Sequence, residues 1–290
     1  MKILLLTSGG DAPGMNKFIA EVYKAFKSDV FAVKAGFTGL INGDIKPLSE
    51  FNPLTFQNEA GSCIYSSRCP EFATEKGFQK GLKVAKKFDA VIILGGNGSC
   101  RGAKQLSENG VRTVFVPATI DNDVDGSEYS IGFHTAVKAC CDYVYNTMPS
   151  MQAFERCCLF EVMGRKCDAI AKNTASVVGA DALIADEKDL NYPKLAKIVK
   201  DNKQEGRESC IIIRENILPL NQIIDILKSK VKNVECKGVV VGHIQRGTKP
   251  TKVELNNAKT FARACVKGLK QTSDSYACIF DGGKVKTIKF

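Results

Sequence analysis

LGGNGSCRGAKQLSENGVRTVFVPATIDNDV, the stretch from Leu94 to Val124, contains two loops that each follow a short apolar run. The first run, AVIIL at Ala90–Leu94, predicts a buried strand, and a helical pattern begins near Ser99 after its glycines. Such glycines let backbone N–H groups approach phosphate oxygens, and the helix N-terminus adds a partial positive charge. The second run, Arg112–Val116, ends in PATIDND, whose aspartates supply carboxylates. The two loops together indicate phosphoryl transfer.

Either loop alone is weak support for a function. Any strand and helix that pack closely can need glycine, and an acidic turn can cap a helix. A kinase, however, needs a surface for the donor's phosphates and, beside it, a carboxylate that orients the acceptor hydroxyl or holds Mg²⁺. The N-terminus repeats the first arrangement, because a strand predicted at Lys2–Leu6 is followed by TSGGDAPGMN and a helix through about Ser28. Two glycine loops can face one ligand.

Short apolar runs alternate with helical patterns along the rest of the chain. Further strands are predicted at Leu159–Val162, Ala182–Ala185, Ser209–Ile213, Gly238–Val241 and Tyr276–Phe280. Further helices are predicted at Gly77–Lys87, Gly132–Asn146, Pro193–Asn202, Asn221–Ser229 and Glu254–Leu269. This alternation is typical of βαβ units and predicts an α/β fold with parallel sheets covered by helices. Ligands in such folds bind beyond the carboxyl ends of the strands.

The composition narrows the class of protein. The chain has 290 residues, 44% hydrophobic and 25% charged, which is ordinary for a globular protein with a substantial core. The apolar start at Met1–Leu6 is too short for a secretory signal and no run reaches membrane-spanning length, so we expect a cytoplasmic enzyme without a membrane partner. The twelve cysteines form no C-x-x-C pair and are expected to be small buried hydrophobes. The formal charge of +10 favours anionic partners, and because the lysines are dispersed we expect phosphorylated metabolites and no nucleic acid.

Six motifs in a fixed order give the chain a specific resemblance. They are TSGGDAPGMN at 7–16, SSRCPEF at 66–72, GGNGS at 95–99, PATIDND at 117–123, EVMGR at 161–165 and GHIQRG at 242–247. In that order they resemble the ATP-dependent 6-phosphofructokinases of the bacterial type, from about residue 2 to residue 270. The resemblance implies a glycolytic kinase that transfers the γ-phosphate of ATP to the 1-hydroxyl of fructose 6-phosphate. The products would be fructose 1,6-bisphosphate and ADP.

The same resemblance implies an architecture and an assembly. Two Rossmann-like parallel-sheet domains covered by helices are expected. Residues 1–132 and 246–275 would form a larger nucleotide-binding domain, and residues 133–245 and 276–290 a smaller sugar-phosphate-binding domain. Mg²⁺ would be the cofactor and ATP the co-substrate, in a homo-oligomer that is a tetramer or a dimer.

Asp121 matches the catalytic base of the family, which helps to remove the proton from the sugar's 1-hydroxyl. An aspartate bonded to its own turn is the alternative for an isolated Asp-Asn-Asp string, but the PATIDND context disfavours it. By resemblance Thr119 would contact the acceptor and Arg68 would stabilise the transferring phosphoryl group. Asp123 and Asn97 would support Mg²⁺, for which hard oxygen ligands are suited.

The glycine loops and their neighbours would form the nucleotide site. By resemblance its members are Gly10, Arg68, Cys69, Gly96, Asn97, Gly98 and Ser99. The phosphate donor depends on two positions, because pyrophosphate-dependent relatives place aspartate at that of Gly98 and lysine at that of Ala118. This chain has neither residue. It is therefore predicted to use ATP.

The sugar-phosphate site would be rich in arginine, because guanidinium groups bind phosphate bidentately. By resemblance it comprises Thr119, Asp121, Arg156, Met163, Gly164, Arg165, Glu215, Lys237, His243 and Arg246. Arg156, His243 and Arg246 would bind the 6-phosphate. Met163, Gly164 and Arg165 would line the sugar pocket, and Glu215 would bind a sugar hydroxyl. Arg165 is counted among the catalytic residues as well. In the family, Arg156 and the residue at Lys237 reach the sugar phosphate of a neighbouring subunit, which is why an oligomer is expected.

Three positions depart from the family pattern. Asn97 replaces the aspartate of GGDGS, so it keeps one oxygen ligand and loses the charge. Lys237 stands where arginine is usual, so it keeps the charge but cannot bind phosphate bidentately. Ala73 replaces an arginine near the nucleotide. These departures are the main argument for the alternative, a weakly active or inactive homologue that serves as a sugar-phosphate- or nucleotide-binding subunit. Against it, the base, the metal aspartate and the remaining arginines are all retained. NAD and lipid kinases share a GGDG-type loop, but they would not explain EVMGR or GHIQRG.

Overall fold

Strands and helices alternate along the whole chain. The computed structural model describes all residues from 1 to 290. The strands are β1 Ile3–Ser8, β2 Val30–Val33, β3 Ile45–Pro47, β4 Ala90–Gly95, β5 Thr113–Thr119, β6 Ile131–Gly132, β7 Cys157–Val162, β8 Ala182–Ile184, β9 Ser209–Arg214, β10 Cys236–Val240, β11 Tyr276–Asp281 and β12 Lys284–Lys289. The α-helices are α1 Met15–Phe26, α2 Gly36–Asn42, α3 Pro53–Phe56, α4 Glu75–Ala85, α5 Asn97–Glu108, α6 Phe133–Gln152, α7 Ala169–Val178, α8 Tyr192–Gln204, α9 Leu220–Lys230, α10 Ile244–Gly247 and α11 Lys252–Gln271. Short 3₁₀ helices lie at Lys27–Asp29, Leu48–Phe51, Pro70–Ala73 and Glu187–Asp189.

The chain forms two units, each with its own sheet. The first unit contains Met1–Thr135 and Arg246–Phe290, and the second contains Ala136–Gln245. In the first unit the strand order is β12-β11-β5-β4-β1-β2-β3, with β6 beside β5, and only the edge strands β3 and β12 are antiparallel. In the second unit the order is β10-β7-β9-β8, and every pairing is parallel. The predicted α/β class with parallel sheets is confirmed.

The C-terminal segment corrects one prediction. Residues 276–290 were expected in the smaller domain, but they belong to the first unit. Strand β11 pairs in parallel with β5, and β12 then pairs with β11 in antiparallel fashion. The hydroxyl of Tyr276 also donates to the carbonyl of Cys265 on α11 at 2.6 Å. The assignment to the smaller domain was wrong because this strand extends the first sheet beyond β5.

A buried glutamate joins α11 to the start of α6. Glu254 is fully buried, and its carboxylate accepts from the Tyr129 hydroxyl at 2.5 Å, the Gly132 amide at 2.8 Å and the Thr135 amide at 3.1 Å. Burial raises the pKa of Glu254, while these hydrogen bonds oppose the rise. Because a buried carboxylate without partners would be costly, the set is held together as a unit. It fixes the chain that follows the PATIDND loop.

An aromatic layer lies beneath α5 in the first unit. The rings of Phe37 and Phe72 stack with centroids 4.0 Å apart, and Phe78 meets Phe72 edge-on at 5.6 Å. A Cβ at Gly102 would lie 2.8 Å from the ring of Phe37, so glycine allows α5 to approach this layer. The second unit has a separate aliphatic core around its own sheet, which includes Leu159. Each sheet therefore has an independent apolar layer to hold its carboxyl edge.

All twelve cysteines are free thiols, and eight of them are buried. Burial raises the pKa of Cys158 to about 12, and the same cause raises that of Cys210 to about 12. These thiols stay protonated, as expected for small core residues. None of the helices is both long enough and apolar enough to cross a bilayer.

Candidate active site

The carboxyl edge of the first sheet brings three loops side by side. Strand β4 lies between β1 and β5, with Ser8 opposite Gly95 and Gly95 opposite Pro117. The strand order reverses between β1 and β4, since the chain runs from β1 outward to β2 and β3 and then returns to β4. Such a switch point opens a crevice beyond the carboxyl ends of the strands. The loops after β1, β4 and β5 all end at this crevice.

The first loop, after β1, has a glycine with positive φ at each end. Gly9 has φ +93° and Gly14 has φ +101°. The Gly9 amide donates to the carbonyl of Ser67 at 3.0 Å, which holds the following residue, Arg68, next to the loop. Arg68 is exposed, so its guanidinium is accessible to a ligand.

Two further predicted residues lie near this loop. Arg246 donates from Nη1 to the carbonyl of Asp11 at 2.7 Å, and a Cβ at Gly10 would lie 2.5 Å from the same nitrogen. The Arg246 guanidinium therefore lies directly on the first glycine loop. Cys69 is half-buried against the aromatic layer of the first unit. The structure thus places Arg246 against the first glycine loop of its own unit.

The second loop is shaped by close contact between β4, β1 and α5. A Cβ at Gly95 would lie 2.3 Å from the Ser99 hydroxyl oxygen and 2.5 Å from the carbonyl oxygen of Ser8. Ser99 itself donates to that carbonyl at 3.2 Å. Helix α5 starts at Asn97, and the first amides of a helix have no partner within it. The loop therefore presents N–H groups and a helix N-terminus, which suit an anion.

Gly98, in contrast, is not required by packing. A Cβ at this position would meet nothing closer than the Arg101 guanidinium, at 3.9 Å. The residue is exposed at the first turn of α5. Glycine therefore keeps open a space that any side chain would fill.

The third loop contains the predicted base. Asp121 is 5% exposed, and its amide donates to the hydroxyl of Thr119 at 3.3 Å. Thr119 lies beside the second loop, because a Cβ at Gly96 would be 3.7 Å from the Cβ of Thr119. Two residues that the sequence did not suggest hold this loop: Ser130 donates to the Thr119 carbonyl at 2.6 Å, and the Asn122 side chain accepts from the Ser130 amide at 2.8 Å. The carboxylate loop and the glycine loop are therefore neighbours.

Asn97 connects the second and third loops. Its side-chain amide donates to the carbonyl of Asp123 at 2.7 Å, and its oxygen accepts from the Asp125 amide at 3.4 Å. The second contact is long, so the oxygen remains a weakly engaged acceptor. An aspartate could make the second contact but could not donate in the first. Asparagine at this position thus has a structural role that the family comparison did not suggest.

The predicted Mg²⁺ residues fit that ion. The Asp123 carboxylate is exposed and makes no hydrogen bond or ion pair, and the Asn97 oxygen lies in the adjoining loop. No group of three His, Cys, Asp or Glu side chains converges to hold a metal. Mg²⁺ in kinases commonly uses one or two carboxylates together with substrate phosphates and water, so a sparse oxygen set is suitable.

In the second unit, the carboxyl edge of the sheet is held by side chains. The Glu215 carboxylate accepts from the amides of Gly164, at 3.2 Å, and Arg165, at 2.9 Å. Both donors have positive φ, +145° for Gly164 and +50° for Arg165. Arg214 donates to the carbonyl of Arg165, and the buried Gln245 accepts from the Met163 amide at 3.1 Å. The predicted EVMGR turn is therefore fixed by residues distant in sequence.

One acidic and one basic residue, Glu161 and His243, also lie at this edge. Glu161 is half-buried on β7, and burial, reinforced by the charge of Glu215, raises its pKa. His243 is exposed in the turn after β10, the strand beside β7. The structure thus brings Met163, Gly164, Arg165, Glu215 and His243 to one edge.

Arg156 and Lys237 lie at the opposite end of that sheet. Arg156 precedes β7 and Lys237 lies near the start of β10, and both contact the Glu235 carboxylate at 2.5 Å. Hydrogen bonds from Lys237 and then Arg156 lower the pKa of Glu235. Strand β7 has six residues, so its two ends are roughly 20 Å apart. Within one chain these two cations cannot join the cluster around Glu215.

Glycine-rich loops at a switch point, beside a loop of carboxylates, define a phosphate-binding α/β protein of the phosphotransferase type. The phosphofructokinase family model matches residues 2–269, and the chain belongs to the phosphofructokinase family. It is 34% identical to the ATP-dependent 6-phosphofructokinase of Clostridium botulinum, covering 98% of this chain and 90% of that protein. The corresponding enzyme of Lactobacillus acidophilus is 35% identical, covering 99% of this chain and 91% of that protein. The family expected from the six motifs is confirmed.

Solved structures agree on the fold. Phosphofructokinase from Saccharomyces cerevisiae superposes with a TM-score of 0.89 at 25% identity, covering 99% of this chain. This chain spans 44% of the length of that yeast chain. A pyrophosphate-dependent phosphofructokinase from Marinobacter aquaeolei superposes with a TM-score of 0.83 at 15% identity, covering 99% of this chain and 81% of that chain, which shows the shared fold alone.

Proposed function

We propose that the chain transfers the γ-phosphate of ATP to the 1-hydroxyl of fructose 6-phosphate, giving fructose 1,6-bisphosphate and ADP. The observation that carries this proposal is the alignment of three loops on the neighbouring strands β1, β4 and β5. Two of these loops offer backbone N–H groups for phosphates, and the third holds Asp121 beside them. Phosphoryl transfer depends mainly on such positioning and on charge stabilisation. No observation favours a subunit that only binds these ligands.

The choice of ATP as phosphate donor rests on the space at Gly98. An ATP molecule laid along the glycine loops needs room for its α-phosphate. At Gly98 there is such room, because the atom nearest to a Cβ built there is a guanidinium nitrogen of Arg101, 3.9 Å away. Ala118, buried on β5, adds no charge there. The relatives in Clostridium botulinum and Lactobacillus acidophilus carry the same donor in their names. Gly10, Arg68, Cys69, Gly96 and Ser99 complete the nucleotide site.

Asp121 acts as the base that takes the proton from the 1-hydroxyl. Its position beside Thr119 and the second glycine loop supports this role, because the donor phosphates would lie along that loop. Arg68, held next to the first loop, stabilises charge on the transferring group, as guanidinium groups do for phosphoryl oxygens. Asp123 and the oxygen of Asn97 would hold Mg²⁺, which supplies charge neutralisation for the nucleotide phosphates when bound.

The sugar phosphate is bound by residues of the second unit in an oligomer. Met163, Gly164, Arg165, Glu215 and His243 share one edge and supply the site of the same chain. Arg156 and Lys237, at the other end of that sheet, serve the site of a neighbouring subunit. The separation of roughly 20 Å between these sets supports an assembly in which subunits complete each other's sites. A homotetramer or dimer in the cytoplasm, within glycolysis, fits this role.

A coupled assay with the purified chain tests the proposal. ATP, Mg²⁺ and fructose 6-phosphate should give ADP and fructose 1,6-bisphosphate in equal amounts. Pyrophosphate in place of ATP should give little turnover, because no lysine replaces Ala118 to compensate its charge. Turnover with pyrophosphate and none with ATP would reverse the donor. Absence of turnover with either donor, in protein that binds both ligands, would support a binding subunit.

A further inference from the structure

A groove between α1 and α11 in the first unit carries a concentration of positive charge. Its volume is about 520 Å³, and its charged lining residues are Lys24, Arg263, Lys267, Lys270 and Glu21. Four cations and one carboxylate give this α1–α11 groove a net charge of +3. None of these residues belongs to the glycine loops or to the carboxylate loop.

The one carboxylate in the groove is already engaged. Glu21 accepts ion pairs from Lys17 at 3.0 Å and from Lys24 at 2.8 Å. Burial opposes its ionisation, but the hydrogen bonds from these lysines outweigh that effect and lower its pKa. Arg263 and Lys267 have no ion-pair partner in the structure. Glu21 therefore does not neutralise the cations of α11.

Arg263 and Lys267 have no acidic residue one turn away on α11. Some lysines on other helices do pair with an aspartate at that spacing, as in Lys138–Asp142, Lys172–Asp168 and Lys197–Asp201. On α11, Arg263 and Lys267 stand one turn apart with the same charge, and Lys270 follows. Like charges at this spacing destabilise a helix. An anion in the α1–α11 groove would relieve that repulsion.

We propose that the α1–α11 groove binds a compact organic phosphate with several negative charges. Arg263 offers a bidentate fork to one phosphate group, and Lys267 and Lys270 lie along the helix for further anionic oxygens. Ala25, Ala262 and Val266 line the same groove with short apolar side chains, which leave room for an uncharged part of the ligand. Its volume is in the range of small-molecule sites.

Calorimetric titration with inorganic tripolyphosphate, at about physiological salt, tests this site in the full chain. The variant Arg263→Gln/Lys267→Gln removes two groove cations. The matched control Lys252→Gln/Lys259→Gln removes two cations from the same helix outside the groove. We expect wild type and control to bind one equivalent that the groove variant binds at least about tenfold more weakly, because charge-assisted hydrogen bonds to phosphate are lost. Any tripolyphosphate that binds at the glycine loops should bind equally to all three proteins, so it does not affect the comparison between them.

Further arms separate this site from nonspecific attraction. Turnover without tripolyphosphate should be equal in the three proteins, and thermal melting should show that all are folded. The exchange Arg263→Lys/Lys267→Arg, which keeps the charge, should retain most of the binding. Equal binding by wild type and the groove variant would overturn the proposal, as would an equal loss in the control. Binding of phosphatidylserine vesicles through Arg263 and Lys267, with no binding of tripolyphosphate, would overturn it in favour of a membrane surface.

Discussion

The carboxyl edges of the two sheets are built in different ways. In the first unit the edge is made by backbone, since Gly95 is in contact with Ser8 and Ser99 at distances that exclude any side chain. In the second unit the edge is made by side chains, since Glu215 and Gln245 hold the turn after β7. A backbone-built edge leaves no space for added side chains and tolerates few substitutions. A side-chain-built edge can be altered one hydrogen bond at a time.

The largest effect is expected in the first unit, from Asp121→Asn. The change removes the base but keeps the size of the side chain, so kcat should fall by roughly 10³-fold with KM for fructose 6-phosphate little changed. Steady-state kinetics measures both constants. Asp125→Asn, in the same loop and exposed, is the matched control and should lose far less. Near-normal turnover by the Asp121 variant would mean that the backbone-built edge does not carry the chemistry.

The local nature of the first edge explains why the sequence predicted it. The glycine and aspartate motifs lie directly after apolar runs, so their positions at strand ends follow from the chain itself. All eight predicted strands are present, while β2 and β3 were missed because they are short and have no clear alternation. The polar edge strand β12 was missed for a related reason.

Other contacts could not be predicted from local patterns. Gln245 lies 82 residues from Met163 in the chain, and Glu254 lies 122 residues from Gly132. Nothing near either residue indicates its partner. The second edge depends on such contacts, so its motif was recognised only by resemblance.

A smaller effect is expected in the second unit, from Glu215→Ala. Loss of the acceptor for the Gly164 and Arg165 amides should loosen the turn and raise KM for fructose 6-phosphate by about tenfold or more. Glu215→Gln keeps an acceptor oxygen and should restore much of the affinity if the carboxylate mainly holds the turn. Gln245→Leu separates this role from direct contact with the sugar, because Gln245 holds Met163 from within the core. An unchanged KM in both the Ala and Leu variants would show that the turn holds its shape without these side chains.

A pair of glycine variants tests how strictly the first edge depends on backbone. Gly95→Ala places a Cβ 2.3 Å from the Ser99 oxygen and 2.5 Å from the Ser8 carbonyl, and it should lower the free energy of unfolding by about 1–3 kcal/mol. Gly98→Ala, with nothing closer than 3.9 Å, should leave stability nearly unchanged. Urea unfolding followed by circular dichroism measures both. Equal stabilities would mean that the contact at Gly95 relaxes at little cost.

The smallest effect is expected at Asn97, whose side chain bonds to backbone groups of the neighbouring loop. Asn97→Asp removes the donor to the Asp123 carbonyl and adds a negative charge near Asp123 and Asp125, so the metal-free protein should lose about 1 kcal/mol of stability. The new carboxylate is also a better ligand for Mg²⁺, so the half-saturating Mg²⁺ concentration for turnover should fall several-fold or kcat should rise.

The control variant Asn97→Ala loses the same hydrogen bond without gaining charge. It should show the stability loss and no improvement with Mg²⁺. If the aspartate variant requires as much Mg²⁺ as wild type and turns over no faster, the ion is held elsewhere, and asparagine at this position acts only to connect the two loops.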